Sequence, residues 1–384
     1  MTRPAEIAPP APISVIGLGV MGAAMAANIR RAGFGLTVHT RSRAKAAALE
    51  QDGARWADSP AAAADGAACV CLCVPDTADV EAVLFGAHGV AHGIARGAVV
   101  IDFSTIAATA TSGFAARLKA AHDVALLDSP VSGGPAGARD GTLTCMVGGD
   151  PDAFAAAAPV FRAVGRTITH LGPSGAGQVC KSANQLLVSV TLLAVSEALS
   201  LGRKAGLDPA AMRTALLGGS ARSFVLENHA QRIIEGQQQP GFRAELMRKD
   251  MRLAAAATRD HQVFAPATAL AAQMMEALRS TLVRLRSQSI EEVGLEASLR
   301  QLVNDFNAQS KAGTIFKLQM SGRIADLHKR VAVDLYRIVQ ECLTNASKHG
   351  RPTEVSVRLE HVVEDMPHVA LTIEDDGGGD VSKV

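Results

Sequence analysis

From Ile13 to about Leu171, short apolar and β-branched runs alternate with alanine-rich helical stretches. The runs are ISVIGLG, LTVHT, ACVCLCV, AVVIDFS, VALLDSP and TCMVGG, with segments such as AAMAANIRRAG and ARLKAAHD between them. That order is the βαβ signature and predicts an α/β fold with a doubly wound parallel sheet over residues 12–172. From Gly175 to about Leu278 the strand signals vanish. Amphipathic helices take over, separated by GLDP, GGSARS and QQQPGF turns, which predicts an all-helical second domain over 173–278. Beyond Leu278 the chain becomes richer in Arg, Gln, Glu and Asp, and helices lead into the alternating runs VSVRLEHVV and VALTIED. A partial α+β segment is expected over 279–384.

Composition narrows the function. Lys and Arg total 38 against 37 Asp and Glu, so no global field draws the chain to nucleic acid or an anionic membrane. One Trp and one Tyr leave little on which bases could stack. The longest apolar run, Leu186 to Leu201, is interrupted by Ser189, Thr191, Ser196 and Glu197 and reads as a buried helix rather than a bilayer span. The leader MTRPAEIAPPAP lacks the apolar core of a signal peptide, so a cytoplasmic location is expected. Cys69, Cys71 and Cys73 alternate on one strand. Such neighbours do not converge on a tetrahedral ion, so buried strand thiols are expected and no metal.

The first strand runs into Gly17, Leu18, Gly19, Val20, Met21 and Gly22, followed by a helix. Glycines there permit a tight turn and let the backbone approach a pyrophosphate at the helix N-terminus. An NAD site would place an acid about 20 residues later, on the ribose hydroxyls. The strand LTVHT instead runs into Arg41, Ser42 and Arg43. Two guanidinium groups and a hydroxyl suit a 2′-phosphate, although a solvated basic turn reads the same way. NADP(H) is favoured, and NAD(H) can share the site. Val74 and Pro75, and Ser104 and Thr105, stand at strand ends, where an open sheet binds its ligand.

GLGVMGAAMAANI, LDSPVSGGPAGARDGTLTCMVGGD, GPSGAGQVCKSANQ and MRKDMRLA follow one another in an order that resembles the β-hydroxyacid dehydrogenases. This family includes tartronate semialdehyde (2-hydroxy-3-oxopropionate) reductase and 3-hydroxyisobutyrate dehydrogenase, and the match covers about residues 12–278. The resemblance implies NADP-dependent reduction of a short semialdehyde carboxylic acid. It implies Lys181 as general acid/base, Asn184 as a substrate ligand, and Lys249, beside Asp250, as a cofactor contact. On residues alone, Lys181, Asn184 and Gln185 share a helix face, which makes Gln185 a further candidate substrate contact, and Ser132, Gly133 and Gly134 expose backbone N–H groups that can hold a substrate carboxylate. Similarity to such enzymes also implies a homo-oligomer, dimer or tetramer. His122 and His170 read as structural.

The C-terminal segment resembles the ATP-binding domain of two-component sensor histidine kinases. Glu341, Asn345 and Lys348 match the helix that serves Mg²⁺ and phosphate, and Asp375, Gly377 and Gly379 match the adenine-binding turn. The match starts downstream of the phospho-accepting histidine and stops just after the first glycine box, short of the ATP lid. ATP and Mg²⁺ are therefore not expected there. Two other readings stay open: a kinase-like fusion that binds ATP for signalling, and an inactive fusion that only binds NADP(H).

Overall fold

Ile13, Val15 and Ile16 of β1 (Pro12–Ile16) are almost wholly inaccessible, as a strand with neighbours on both edges and cover on both faces must be. The computed structural model describes residues 5–237, 243–275, 294–310, 314–347, 352–362 and 368–377, in two compact units that divide between Met275 and Glu276. In the first unit β1 pairs in parallel with β2 (Gly35–His39) on one side and β4 (Cys69–Leu72) on the other. The parallel run extends outward to β3 (Arg55–Trp56) and, past β4, to β5 (Val99–Asp102) and β6 (Ala125–Asp128). Strand order therefore reverses between β1 and β4. In an open sheet that switch point opens the ligand crevice at the strands' C-terminal ends.

The sheet is not parallel throughout. The run TCMVGG forms β8 (Leu143–Gly148), which lies antiparallel to β6 and to β7 (Val131–Ser132), while β9 (Gly165–Gly172) pairs with β8 in parallel. Between β7 and β8 stand only residues 133–142, with the short helix Gly134–Asp140. A connection of that length cannot carry a parallel crossover, so the chain doubles back. Cys69 and Cys71 share one core cluster with Cys73 packed against it, in line with the period-two expectation.

The 29-residue helix Ala176–Lys204 leaves the sheet and carries most of the helical part. It packs on β8 and on the helix Ala244–Asp260. It was expected to be buried along Leu186–Leu201. Instead Leu187 is 65% and Leu201 71% exposed, because one face alone of the helix meets protein. That inner face buries Gln178, Lys181, Gln185 and Ser189, polar groups that a bilayer span would not gather. The QQQPGF turn falls largely outside the described residues.

The second unit contains the helix Leu295–Gln309, β10 (Ile315–Gly322), the helix Lys329–Asn345, β11 (Glu354–Val362) and β12 (His368–Asp375). β10 and β11 are parallel, joined by the longer helix as crossover, and β12 returns antiparallel. Leu299, Val339, Leu343, Val355, Val357 and Leu359 form its core.

Candidate active site

The three glycines after β1 have separate physical duties. Gly17 has φ +98°, and a Cβ there would stand 2.3 Å from the carbonyl oxygen of Cys73. At Gly22 a Cβ would stand 1.9 Å from the Gly17 carbonyl, so this glycine lets the helix Val20–Arg31 press against the turn. A Cβ on Gly19, at the helix N-cap, would meet nothing within 4 Å. The middle glycine therefore keeps clear a backbone cradle at a helix N-terminus, the arrangement that a pyrophosphate requires. Leu18 turns its side chain into the core and offers only backbone, whereas Val20 is 74% exposed and Met21 half-buried. A dinucleotide fits these residues.

At the far end of the crevice Arg41 and Arg43 are exposed and Ser42 is half-buried. Arg43 makes a bidentate pair with Glu50, 2.8 Å at the shorter contact, and lies 5.6 Å from the ring centre of Trp56. Trp56 in turn packs against His39 at the end of β2. The basic turn thus carries two exposed arginines, and one of them, Arg43, lies beside an aromatic face and is already shared with a carboxylate.

The loops after β4 and β5 are bound to each other and to the helical part. Val74 N–H donates to Ser104 Oγ at 3.0 Å. Lys249 Nζ donates to the carbonyl oxygens of Pro75, at 2.9 Å, and Thr105, and stands 3.2 Å from Asp250 Oδ1. Its three N–H bonds are thereby accounted for. The residue anticipated as a cofactor contact ties together the two loops anticipated to hold the cofactor. The Lys249–Asp250 pair is buried, so its energetics differ from those of an exposed helix pair.

Lys181 lies on the inner face of the long helix, 8% exposed, and its Nζ donates to Val131 O at 2.8 Å. The next three residues are Ser132, Gly133 and Gly134, with φ +131° at Gly133 and +62° at Gly134. Consecutive positive φ values turn the backbone in a way that side chains resist, so glycine is required at both places. Burial pushes the Lys181 ammonium below the ordinary lysine range; Asp250 opposes the fall and Lys249 adds to it. Asn184 is half-buried and donates to Gln185 Oε1 at 2.8 Å, while Gln185 Nε2 donates to Asp250 Oδ2 at 2.7 Å. Asp250 itself is pushed up by burial, against the pull of Lys249 and Lys181. Lys181, Asn184 and Gln185 are thus brought together with Lys249 and Asp250, and Lys181 beside the Ser132–Gly134 turn.

Sequence reasoning overlooked Asp102, Asp128 and Gln178. All three are buried at the sheet's C-terminal edge or in the first turn of the long helix. Asp102 accepts from Ser104 N–H, but its Oδ2 has no hydrogen-bond partner, and burial pushes the carboxyl up to about 7. Their signal was present, since an acid ending an apolar strand in VVID and in ALLD is unusual in a buried position. Without partners in view it carried no assignment. His170 stacks on Phe154 and bonds the Gly149 carbonyl, in keeping with a structural role.

In the second unit Glu341 and Asn345 are exposed on the helix Lys329–Asn345, and Asp375 ends β12 with Oδ1 accepting from Gly377 N–H. Lys348 and Gly379 lie outside the described residues.

Comparison with known proteins agrees with this anatomy. Residues 12–172 match the NAD-binding domain of 6-phosphogluconate dehydrogenase. Residues 175–289 match the NAD-binding domain of NADP-dependent 3-hydroxyisobutyrate dehydrogenase, and 330–380 match the histidine kinase-, DNA gyrase B- and HSP90-like ATPases. The chain is 42% identical to 2-hydroxy-3-oxopropionate reductase of Escherichia coli, over 63% of its own length and 82% of that protein. It is 38% identical to 3-hydroxyisobutyrate dehydrogenase of Pseudomonas aeruginosa, over 67% of its own length and 89% of that one. The solved 3-hydroxyisobutyrate dehydrogenase of Mycobacterium tuberculosis with L-serine superposes with a TM-score of 0.66 at 28% identity, covering 70% of this chain and 94% of that one. A glycine cradle at the β1/β4 switch point, a buried lysine beside a glycine turn and relatives aligned across both domains lead to one conclusion: the chain belongs to the β-hydroxyacid dehydrogenase family, with a segment matching the histidine-kinase-like ATPases at its C-terminal end.

Proposed function

We propose that the protein is an NADPH-dependent reductase of short semialdehyde carboxylic acids, with Lys181 as its general acid. The observation that carries this reading is the position of Lys181: buried, and hydrogen-bonded to the residue that precedes the Ser132–Gly134 turn. When bound, the nicotinamide supplies the hydride. The chain's own groups do the rest. Backbone N–H groups of Ser132–Gly134 hold the substrate carboxylate, Asn184 orients the substrate, and Lys181 delivers a proton to the carbonyl oxygen. Positioning supplies much of the acceleration, and a well-placed general acid adds about 10²–10⁴-fold. In the oxidative direction Lys181 acts as base, a role favoured by the burial that lowers its proton affinity.

Cofactor choice follows the turn after β2. No acid stands at the ribose position, and Arg41, Ser42 and Arg43 offer charge and hydroxyl to a 2′-phosphate. One solved relative, at 28% identity and TM-score 0.64, is a complex with NADP⁺. Gly17 to Gly22, Val74, Pro75, Ser104 and Thr105 line the remainder of the cofactor path. We read the protein as a cytoplasmic homo-oligomer. Leu187, Leu201, Phe224 and Phe264 are 65%, 71%, 68% and 92% exposed, all in the helical part, and are the apolar groups that a second subunit would cover.

The decisive experiment follows NADPH oxidation with tartronate semialdehyde, methylmalonate semialdehyde and succinate semialdehyde, with Lys181→Ala as control. Lys181-dependent turnover is expected, and its rates rank the substrates. Near-wild-type turnover by Lys181→Ala would remove the lysine from the mechanism. The family match over 330–380 favours one second reading, ATP binding by the C-terminal unit through Glu341, Asn345 and Asp375.

A further inference from the structure

Two buried side chains with no assigned part in the chemistry fasten the start of the long helix to the floor of the crevice. Asp128, the last residue of β6, is inaccessible to solvent and accepts Gly175 N–H on Oδ1 at 2.7 Å and Gln178 N–H on Oδ2 at 3.0 Å. These are N–H groups at the open start of the helix Ala176–Lys204, which normally find a local capping side chain. Here the cap arrives from a strand 47 positions earlier. The socket around it leaves no spare room. A Cβ on Gly148 would stand 2.6 Å from Asp128 Oδ1, and one on Gly177 would stand 2.7 Å from Oδ2 and 2.2 Å from Met146 O. Glycines at 148 and 177 are what let the carboxylate reach the helix.

Gln178, 1% exposed, spans the remaining distance to the loop after β5. Its Nε2 donates to Ser104 O at 2.9 Å and its Oε1 accepts Ile106 N–H at 3.1 Å. The amide therefore grips the backbone on both sides of Thr105, whose carbonyl is taken by Lys249. Lys181 follows Gln178 by three residues, less than one helical turn and about 4.5 Å along the axis. A shift of Gln178 relative to Ser104 and Ile106 is transmitted to Lys181 almost undiminished, because a helix is stiff over one turn.

We propose that Gln178 is a positioning residue for proton delivery: anchored by Asp128, it fixes the place of Lys181 relative to the Ser104–Ile106 loop that lines the cofactor path. The proposal rests on the reading of Lys181 as the proton-transferring group. Gln178 touches neither substrate nor cofactor in this scheme and acts through the helix that both residues share. A displacement of about 1 Å in such a group costs on the order of 10²-fold in rate, and no other side-chain bond described between the first turn of this helix and the Ser104–Ile106 loop would restore the register.

The test uses the full-length protein. In Gln178→Leu, kcat is expected to fall between about tenfold and 10²-fold, while the NADPH dissociation constant, read from Trp56 fluorescence, stays within about twofold of wild type. Gln178→Glu supplies a second arm. Its neutral acid has one O–H for Ser104 O and one carbonyl for Ile106 N–H, the same set the amide uses. Activity is then near wild type at low pH and is lost as the carboxyl ionises, a titration absent from wild type. A third arm needs no turnover. The rate at which trinitrobenzenesulfonate labels Lys181, read by peptide mass spectrometry without cofactor, rises in Gln178→Leu. A folded Gln178→Leu with wild-type kcat and wild-type Lys181 labelling overturns the proposal. If Gln178→Leu does not fold, the pH profile of Gln178→Glu decides, and a profile parallel to wild type overturns it. If wild type itself shows no Lys181-dependent turnover, the proposed function fails, and the labelling rates alone decide whether Gln178 positions the lysine.

Discussion

Gln185 Nε2 donates to Asp250 Oδ2 at 2.7 Å, joining the long helix to the helix Ala244–Asp260 across 65 positions of sequence. Asp250 also stands against Lys249 and raises the proton affinity of Lys181. Asp250→Asn removes that support, so Lys181 loses its proton at lower pH. In the proposed mechanism reduction needs the protonated lysine, and its rate falls as pH rises through the Lys181 value. The alkaline limb of the kcat profile for NADPH oxidation is therefore expected to move toward neutrality in Asp250→Asn. An unmoved limb would separate Asp250 from the lysine.

Asp102 carries a second pH effect, on stability. Burial lifts its carboxyl to about 7 from an ordinary value near 4. Between those values the folded state holds a proton that the unfolded chain has released. The contribution is complete below about pH 4 and is lost as pH rises to about 7, at no more than about 1.4 kcal/mol per pH unit. Asp102→Asn cannot ionise, so its stability in urea should change less between pH 4 and 7 than that of wild type. Parallel curves would show that the carboxyl is solvated.

The glycines of the cradle separate folding from binding. Gly22→Ala drives a Cβ to within 1.9 Å of a backbone oxygen, and overpacking of that kind costs about 1–3 kcal/mol or more. Gly19→Ala meets open space. Its melting temperature should match wild type while NADPH affinity drops, as measured by calorimetry. Unchanged affinity in Gly19→Ala would place the pyrophosphate elsewhere.

Cofactor preference is expected to reside in Arg41 and Arg43. Replacing both by Ala should raise KM for NADPH at least tenfold, since a hydrogen bond to a charged group contributes about 1.5–3 kcal/mol, and leave KM for NADH nearly unchanged. The single tryptophan, Trp56, lies 5.6 Å below Arg43, so its emission should respond to NADPH in wild type. Equal losses for both cofactors would assign these arginines to the fold.

For the C-terminal unit, the full-length protein titrated with MgATP to millimolar concentration should give no binding heat. Heat that disappears in Asn345→Ala would establish a nucleotide site there and favour the signalling reading.

The candidate site was legible in the sequence wherever chemistry is written into short-range order. The Gly17–Gly22 turn, Arg41–Arg43, Ser132–Gly134 and the Lys181, Asn184 and Gln185 face are each local patterns; the structure puts the first turn between β1 and a helix and the last three on one long helix, while Ser132 falls in β7 and Gly134 opens a short helix. The reversal at β8 was not legible. TCMVGG has a strand's composition whichever way it runs, and only the short link after β7 fixes its direction.

What the sequence by itself determined is which residues form elements and which carry reactive groups, because helix and strand periods and glycine turns depend on neighbours a few positions apart. Only the tertiary structure decided which groups meet. Lys249 reached Pro75 and Thr105 from 174 and 144 positions away, and Asp128 capped a helix that begins 48 residues beyond it, at Ala176. Such contacts are set by the stacking of helices on the C-terminal ends of the strands. Burial there removes the water that would otherwise satisfy each charge, so Lys249 and Asp128 take their partners from distant parts of the chain.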